Sequence, residues 1–339
     1  MSQAAGRAVH VERRGGPEQL QLTDREFADA APGMVRIVME AAGVAYGDLL
    51  LREGMVTGAP PHPIPGYDSI GVVDSVGAGV TGISIGDRVA LRTDGTGAYS
   101  THVEGSAAYV VPVPQGVRAH QAVALVLNYV TAWQMLTRVA PVGEGGTIVV
   151  HGAAGGVGSA LAELGRLRGL IVLGTASESR REGLESRGVR AFDRLSWTRE
   201  IAAAVPHGVD AVFEGVGGGT SRRSLALLGP GGQLVSYGVS SILANGRRSV
   251  RGLVGAIARP ARASSFDLFR RGIGMNGYLS ASYVPAHPDW FRRDLSTLLG
   301  LLEDGAIAPV IAAEFPLSHA AQAHRAIASG ATGKVVLVP

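Results

Sequence analysis

The chain has no cysteine among its 339 residues. That removes disulfides, thiolate zinc sites and thiol nucleophiles together, along with any mechanism that needs them. Aromatic residues are scarce, at 5% of the chain, so platforms for stacking nucleotide bases are few. The formal net charge of +3 is too small to imply nucleic-acid binding. Although 46% of residues are hydrophobic, no apolar run reaches the roughly 18–20 residues needed to span a bilayer. The opening Met1-Ser2-Gln3-Ala4-Ala5-Gly6-Arg7 lacks the apolar stretch of a signal peptide. The expectation is a soluble, cytoplasmic protein with no membrane span and no nucleic-acid partner, long enough for two cores.

What is present is a glycine-rich turn. Thr147-Ile148-Val149-Val150 is β-branched and apolar, His151-Gly152-Ala153-Ala154-Gly155-Gly156-Val157-Gly158 follows, and Ser159 to Leu164 reads as a helix. Glycines three apart, at 152, 155 and 158, suit a dinucleotide-binding turn: one for the tight bend, one for close approach of a pyrophosphate, one for packing of helix on strand. The helix N-terminus then offers free N–H groups and the positive end of its dipole. No Gly-Lys-Ser/Thr follows, which disfavours a P-loop. A second strand, Leu170-Ile171-Val172-Leu173-Gly174, leads into Thr175-Ala176-Ser177-Glu178-Ser179-Arg180-Arg181. Small and hydroxylic residues stand where an NAD site places an acid. A 2′-phosphate accepts from hydroxyls and guanidiniums and is repelled by a carboxylate. The expected cofactor is NADPH, with Glu178 turned to solvent; Arg180 and Arg181 also read as a solvated helix face.

Up to about residue 120, short β-rich segments (7–11, 34–39, 70–74, 87–91) are punctuated by Gly, Pro and Asp. Helical pattern starts at Ala119, and from Thr147 strands alternate with helices, with a fourth strand at 209–214 and a fifth at 232–237. That alternation means a doubly wound parallel sheet. A last strand, 333–338, is expected to return to the first domain. Charge is uneven. Between Asn245 and Gly272, Arg247, Arg248, Arg251, Arg259, Arg262, Arg270 and Arg271 face the single acid Asp267, a net +6 that leaves −3 for the rest. Its apolar residues (Val250, Leu253, Val254, Ile257, then Phe266, Leu268, Phe269) suit a helical stripe interrupted by Pro260. Two readings stay open: a basic, solvated helical cover over the domain cleft, or a dock for an acidic carrier protein or a coenzyme A phosphate.

Several motifs occur in order: Ala42-Gly43-Val44-x-Tyr46-x-Asp48, Pro65-Gly66-Tyr67-Asp68-Ser69-Ile70-Gly71, Val76-Gly77-x-Gly79-Val80, Gly86-Asp87-Arg88-Val89, Asn128-Tyr129-Val130-Thr131-Ala132, the glycine turn, and Gly333-Lys334-Val335-Val336-Leu337-Val338-Pro339. In combination the chain resembles, from Arg7 to Pro339, the zinc-independent quinone oxidoreductase branch of the medium-chain dehydrogenase/reductase superfamily, most of all the reductases like vesicle amine transport protein. The resemblance implies an α/β architecture: a GroES-like β-rich domain over 1–120 with a return at 280–339, and a Rossmann domain over 121–279. It further implies NADPH in the cleft and a homodimer. Cofactor contacts would fall to Gly152, Ala154, Gly155, Gly156, Val157, Gly158, Thr175, Ser177, Arg181, Arg194, Gly217, Tyr237, Gly238, Gly277, Tyr278, Leu279 and Lys334. Asn128 and Thr131 match positions beside the nicotinamide, and read equally as polar groups at a helix start.

Where zinc-dependent relatives carry Cys and a His-Glu pair, this chain has Ala45, Tyr67 and Asp68, and residues 91–99 replace their four-cysteine lobe. His319 and His324 lack partners at metal-ligand spacing, so no metal is expected. Without a Lewis acid, oxidising an unactivated alcohol is difficult. Reducing a polarised double bond needs only hydride and donors for the developing enolate oxygen. The expected substrate is a small enone, quinone or enoyl thioester, free or bound to a carrier or coenzyme A. Many relatives have Asn at the position of Ala45 and Tyr at that of Val56. With both gone, Tyr46 is nominated as proton donor, and Tyr67 and water stay open. A low-turnover NADPH-binding redox sensor and a redox-silent cyclase or isomerase are the alternatives.

Overall fold

The computed structural model describes residues 4–258 and 260–339, which fall into two compact units. The first comprises residues up to Val130, Asn245–Arg247 and Ala281–Pro339; the second comprises Thr131–Ala244 and Arg248–Ser280. The division falls inside the helical run that begins at Ala119.

In the first unit a mixed sheet runs in the order Ile311–Pro316, Lys334–Val338, Met34–Val44, Asp68–Val76, Arg88–Arg92, Val110–Pro112, with His102–Ser106 also on Met34–Val44. Its strands are rich in Val and Ile, which fit a pleated, buried surface. Val35, Ile37, Val73, Val89, Leu91, Val103, Val335 and Leu337 share one core. Lys334–Val338 lies parallel to Ile311–Pro316 and antiparallel to Met34–Val44, where Val335 faces Val44 and Leu337 faces Ala42, so the two ends of the sequence complete one sheet, the return expected from the chain pattern. The helix Pro288–Glu303 buries Phe291, Leu295, Leu298, Leu299 and Leu302, a stripe at helical spacing.

The second unit is a six-stranded, all-parallel sheet in the order Arg190–Asp193, Ile171–Ala176, Thr147–His151, Val209–Glu214, Leu228–Ser236, Gly274–Gly277. Val149, Val150, Leu173, Phe213 and Leu234 are at most 1% exposed. Strands covered on both faces read as such continuous apolar runs. The fifth strand starts at Leu228, earlier than its pattern suggested, and the sixth has no β-branched residue to announce it. One expectation is corrected. Asn128 does not stand at a helix start: the run passes from Ala119–Ala124 through a π-helical turn, Leu125–Tyr129, into Val130–Gln134. Such turns recur at functional sites because they re-aim side chains.

Candidate functional site

Strand order in the parallel sheet reverses between Thr147–His151 and Val209–Glu214, and the crevice outside the carboxyl ends of the strands at such a switch point is where ligands bind. The glycine turn lies there. Gly152 adopts φ 65°, the Gly155 N–H donates to the Gly152 carbonyl at 2.9 Å, and Gly155 is the extended cap of the helix Gly156–Leu167. A Cβ on Gly158 would stand 2.2 Å from the Gly152 oxygen and 2.8 Å from the Ala153 Cα. Only glycine lets the helix begin this close to the turn. Ala154 is 4% exposed, and Gly155, Gly156 and Val157 are half-buried, so the first-turn N–H groups open on a shallow cradle free of side chains.

The turn is braced from behind. His151 Nδ1 lies 3.0 Å from Thr175 Oγ1 and its Nε2 2.8 Å from Ser224 Oγ, with the ring edge-on to Trp197. Burial holds this imidazole neutral, its pKa lowered to about 3. Thr175 is 3% exposed, and its hydroxyl also accepts from the Gly152 N–H at 3.4 Å. Thr175 thus supports the turn from behind.

At the end of Ile171–Ala176, Ser177 caps the helix Glu178–Glu185, its hydroxyl 3.4 Å from that of Ser179. Glu178 is 87% exposed, as expected, and lies 3.5 Å from Arg181 Nη2, whose side chain is one-third exposed. The backbone N–H of Arg194, an exposed residue, donates to the Ala176 carbonyl at 3.1 Å. Two arginines therefore stand at a strand end where the carboxylate paired with Arg181, Glu178, is itself solvent-exposed. Further along the same edge, Glu214 is fully buried; it accepts from the N–H groups of Val216 (2.6 Å) and Gly217 (2.9 Å) and from the Ser221 hydroxyl, fixing Gly217 at φ 85°. The Tyr237 N–H donates to the Glu214 carbonyl, its ring packs over Gly215, and burial and the Glu214 charge push its phenol up. A Cβ on Gly238 would stand 3.0 Å from the Gly215 carbonyl oxygen. Past the last strand, Gly277 and Leu279 are exposed, while Tyr278 is buried, its N–H on the Ser236 carbonyl and its hydroxyl donating to Gln134 Oε1 at 2.8 Å. The edge of one sheet thus collects every cofactor residue expected from the sequence except Lys334.

Lys334 belongs to the first unit. It is the only lysine of the chain, its side chain is 1% exposed, and Nζ lies 2.6 Å from Asp68 Oδ2. Buried against a carboxylate, Lys334 bridges two strands of the mixed sheet, apart from the other expected cofactor residues. Burial raises the Asp68 carboxyl and the Lys334 charge opposes it. Tyr46 opens the helix Tyr46–Arg52 and is half-buried. Because Ala45 has no capping side chain, Asp48 accepts its N–H at 2.8 Å, and also accepts from Gly66 N (2.9 Å) and the Tyr99 hydroxyl (3.0 Å). Arg52 donates to His324 Nδ1 at 3.2 Å, so the ring proton sits on Nε2 and is donated to the Tyr99 oxygen at 3.0 Å. Burial pushes Asp48 up to about 7 and His324 down to about 3. Sequence reasoning missed this chain of four side chains, which has no local signature. His151 did have one, as a polar residue closing an apolar strand.

The Tyr67 ring packs against Gly47 and Gly95, with its phenol pushed up by burial first and the Asp48 charge second. Asn128 and Thr131 are each 6% exposed, and no hydrogen bond of either side chain is found among the described residues. Also among the described residues, no group of three or more His, Asp or Glu is placed to hold a metal, and no helix is long and apolar enough to cross a membrane.

Two family models match the chain: an alcohol dehydrogenase GroES-like domain over residues 31–115, and a zinc-binding dehydrogenase domain over 188–337. The human synaptic vesicle membrane protein VAT-1 homolog is 30% identical over 333 residues, covering 96% of this chain and 84% of that protein. The quinone oxidoreductase of Rattus norvegicus is 31% identical over 341 residues, covering 98% of this chain and 97% of its own length. Among solved structures, a mycobacterial protein complexed with NADPH superposes with a TM-score of 0.85 at 28% identity, covering 98% of this chain and 100% of that one. The mixed sheet is thus the GroES-like part, and the parallel sheet the Rossmann part.

Proposed function

Because the chain belongs to the quinone oxidoreductase-like branch of the medium-chain dehydrogenase/reductase superfamily, we propose that this oxidoreductase is an NADPH-dependent reductase of quinones or of activated carbon–carbon double bonds, working without zinc. The observation that carries the reading is the cradle at the switch point: a helix N-terminus opened by Gly152, Gly155 and Gly158, beside a strand end that offers Arg181 and Arg194 with one acid, Glu178, that is solvent-exposed. A rat relative named quinone oxidoreductase and a mycobacterial neighbour solved with NADPH support it.

A bound nicotinamide cofactor supplies the hydride. The N–H groups of the glycine turn bind its pyrophosphate, and Arg181, Arg194 and Ser177 bind the 2′-phosphate. Gly217, Tyr237 and Gly238 line the crevice on a loop that Glu214 holds rigid. The backbone of Gly277, Tyr278 and Leu279, pinned by Tyr278 to Ser236 and Gln134, clasps the carboxamide. Asn128 and Thr131, with no hydrogen-bonding partner among the described side chains, serve the nicotinamide ribose and the substrate oxygen. Tyr46 donates the proton, with Tyr67 and water as its competitors. Zinc does not fit these residues: Ala45 offers no ligand, Tyr67 is held protonated by its burial, and Asp68 is paired to Lys334. The substrate is a small enone, quinone or enoyl thioester, free or carrier-borne, and the protein a cytoplasmic homodimer in which Gly274–Gly277 lies at the edge of its sheet.

The test is NADPH oxidation, followed by loss of its absorbance, against a panel of quinones, enones and enoyl thioesters. Sustained turnover with one of these classes is expected. Tight NADPH binding with no turnover anywhere would make the protein a sensor. Substrate conversion without NADPH consumption would make it a cyclase or isomerase.

A further inference from the structure

The apolar stripe of the basic segment, expected over the cleft, points outward instead: Val250, Val254, Ile257, Phe266 and Phe269 are all exposed, and Arg259 lies outside the described residues. The unused chemistry lies in the first unit, at the hydroxyl of Tyr67. Buried tyrosines usually give that hydroxyl to a protein partner. Tyr99 gives its own to Asp48 at 3.0 Å, and Tyr278 to Gln134 at 2.8 Å. Tyr67 is half-buried, and no hydrogen bond of its hydroxyl is found among the described residues. The rest of the residue is fixed. Its carbonyl accepts from the Thr93 N–H at 2.9 Å. The preceding Gly66 donates its N–H to Asp48 Oδ1 at 2.9 Å and accepts from the Thr93 hydroxyl at 2.7 Å. Two glycines clamp the ring from its two edges. A Cβ on Gly47 would stand 2.9 Å from Cε2 and 2.4 Å from the hydroxyl oxygen, and one on Gly95 3.0 Å from Cε1. Burial first, then the Asp48 charge, push the phenol up, with Arg92 opposing and Asp68 adding, so it stays a donor.

We propose that the Tyr67 hydroxyl is a catalytic hydrogen-bond donor to the carbonyl oxygen of the substrate, working beside Tyr46. The role deepens the reductase reading and rests on it, because that reading places the substrate at Tyr46, and the phenol lies against the next residue, Gly47. As hydride forms the new C–H bond at the β-carbon, the π electrons shift toward the carbonyl and negative charge gathers on its oxygen. A proton from Tyr46, taken up at the α-carbon, completes the reduction. The Tyr67 proton stays on its own oxygen throughout. A donor already immobilised by backbone on both edges needs no reorganisation as that charge grows, which is the condition for strong transition-state stabilisation. The role also narrows the substrate class. An alkene without a conjugated carbonyl presents no oxygen to this phenol, whereas quinones, enones and enoyl thioesters all do.

The test is Tyr67→Phe in the full chain, with NADPH and a quinone or enone that the parent reduces. Removing one preorganised donor should lower kcat and kcat/KM equally, by about a hundredfold. Melting temperature and NADPH affinity should not change, because the hydroxyl holds nothing within the protein. Gly47→Ala keeps the hydroxyl but displaces it, and should lower kcat in the same way. Tyr99→Phe is the contrast: its hydroxyl is spent inside the fold, so melting temperature should fall while kcat is kept. A second readout needs no turnover. With NADP+ present, 4-nitrophenolate, an oxyanion like the developing enolate, should bind Tyr67→Phe about tenfold more weakly than the parent, read from its visible absorbance. Parental kcat in Tyr67→Phe, a rise in KM alone, or equal nitrophenolate affinity would overturn the donor role and leave the reductase reading standing. A parent that reduces no quinone, enone or enoyl thioester would overturn both.

Discussion

Arg181 is held by Glu178 at 3.5 Å, on a side chain one-third exposed, so on the proposed reading a 2′-phosphate would have to win this guanidinium from a solvated carboxylate, a weak competitor. A charge-assisted hydrogen bond is worth about 1.5–3 kcal/mol, or roughly 10- to 100-fold in affinity. Arg181→Ala should weaken NADPH by that factor and leave NADH nearly unchanged in a fluorescence titration. Glu178→Gln should instead tighten NADPH modestly. If the parent binds both cofactors equally, the preference for a 2′-phosphate is wrong. His151 and His324 make a second residue-scale prediction. Both are pushed down to about 3 by burial, and secondarily by Arg223 and Arg52. The unfolded chain binds these protons near pH 6.5 while the folded one refuses them until near pH 3, so across that window the unfolded state holds more protons and stability rises with pH. Acidifying from neutrality should therefore lower the urea midpoint. Asp48, pushed up to about 7, acts oppositely, costing stability as pH rises from the ordinary carboxylate range toward neutrality. Comparing parent and His324→Gln at pH about 4 and about 7 isolates one imidazole: the variant should lose less stability on acidification, and identical losses would sink the assignment.

The helix Gly156–Leu167 can start where it does because residue 158 has no side chain. Gly158→Ala should push the helix N-terminus off the turn and weaken NADPH and NADH alike, which separates it from Arg181→Ala; a variant that still discriminated normally and bound as tightly would show that the cradle is not the pyrophosphate site. This element was legible in the sequence because it is local: β-branched strand, glycines at fixed spacing, helix, all within twenty residues. Strand 209–214, and the 34–39 and 70–74 portions of Met34–Val44 and Asp68–Val76, were legible for the same reason. The edge strand Gly274–Gly277 was not, since its place is set by pairing with Leu228–Ser236 and not by its own residues. The π-helical turn Leu125–Tyr129 carries no breaker to betray it. The role of Lys334 depends on Asp68, 266 positions away, and no local pattern encodes such a partner. The helices Val250–Ala258 and Ser265–Arg271 were legible as helices with an apolar stripe, but whether a stripe faces inward is a tertiary fact.

At the scale of the whole molecule, the donor inventory predicts indifference to chelators. Dialysis against a strong chelator should leave melting temperature and turnover unchanged, because the described residues contain no ligand set to be emptied; activity lost on dialysis and restored by zinc alone would contradict the reading of Ala45, Tyr67 and Asp68. The burial of Lys334 has a consequence of another kind. Quinones and enones are electrophiles that add covalently to thiolates and neutral amines, so an enzyme that handles them is exposed to arylation by its own substrates. This chain contains no thiol, and its single ε-amine is 1% exposed and lies 2.6 Å from an Asp68 oxygen, so neither a thiolate nor a lysine amine meets the solvent. Prolonged incubation with benzoquinone, read by peptide mass spectrometry, should leave Lys334 unmodified and the protein active, whereas a surface lysine introduced at Arg248 should collect the adduct.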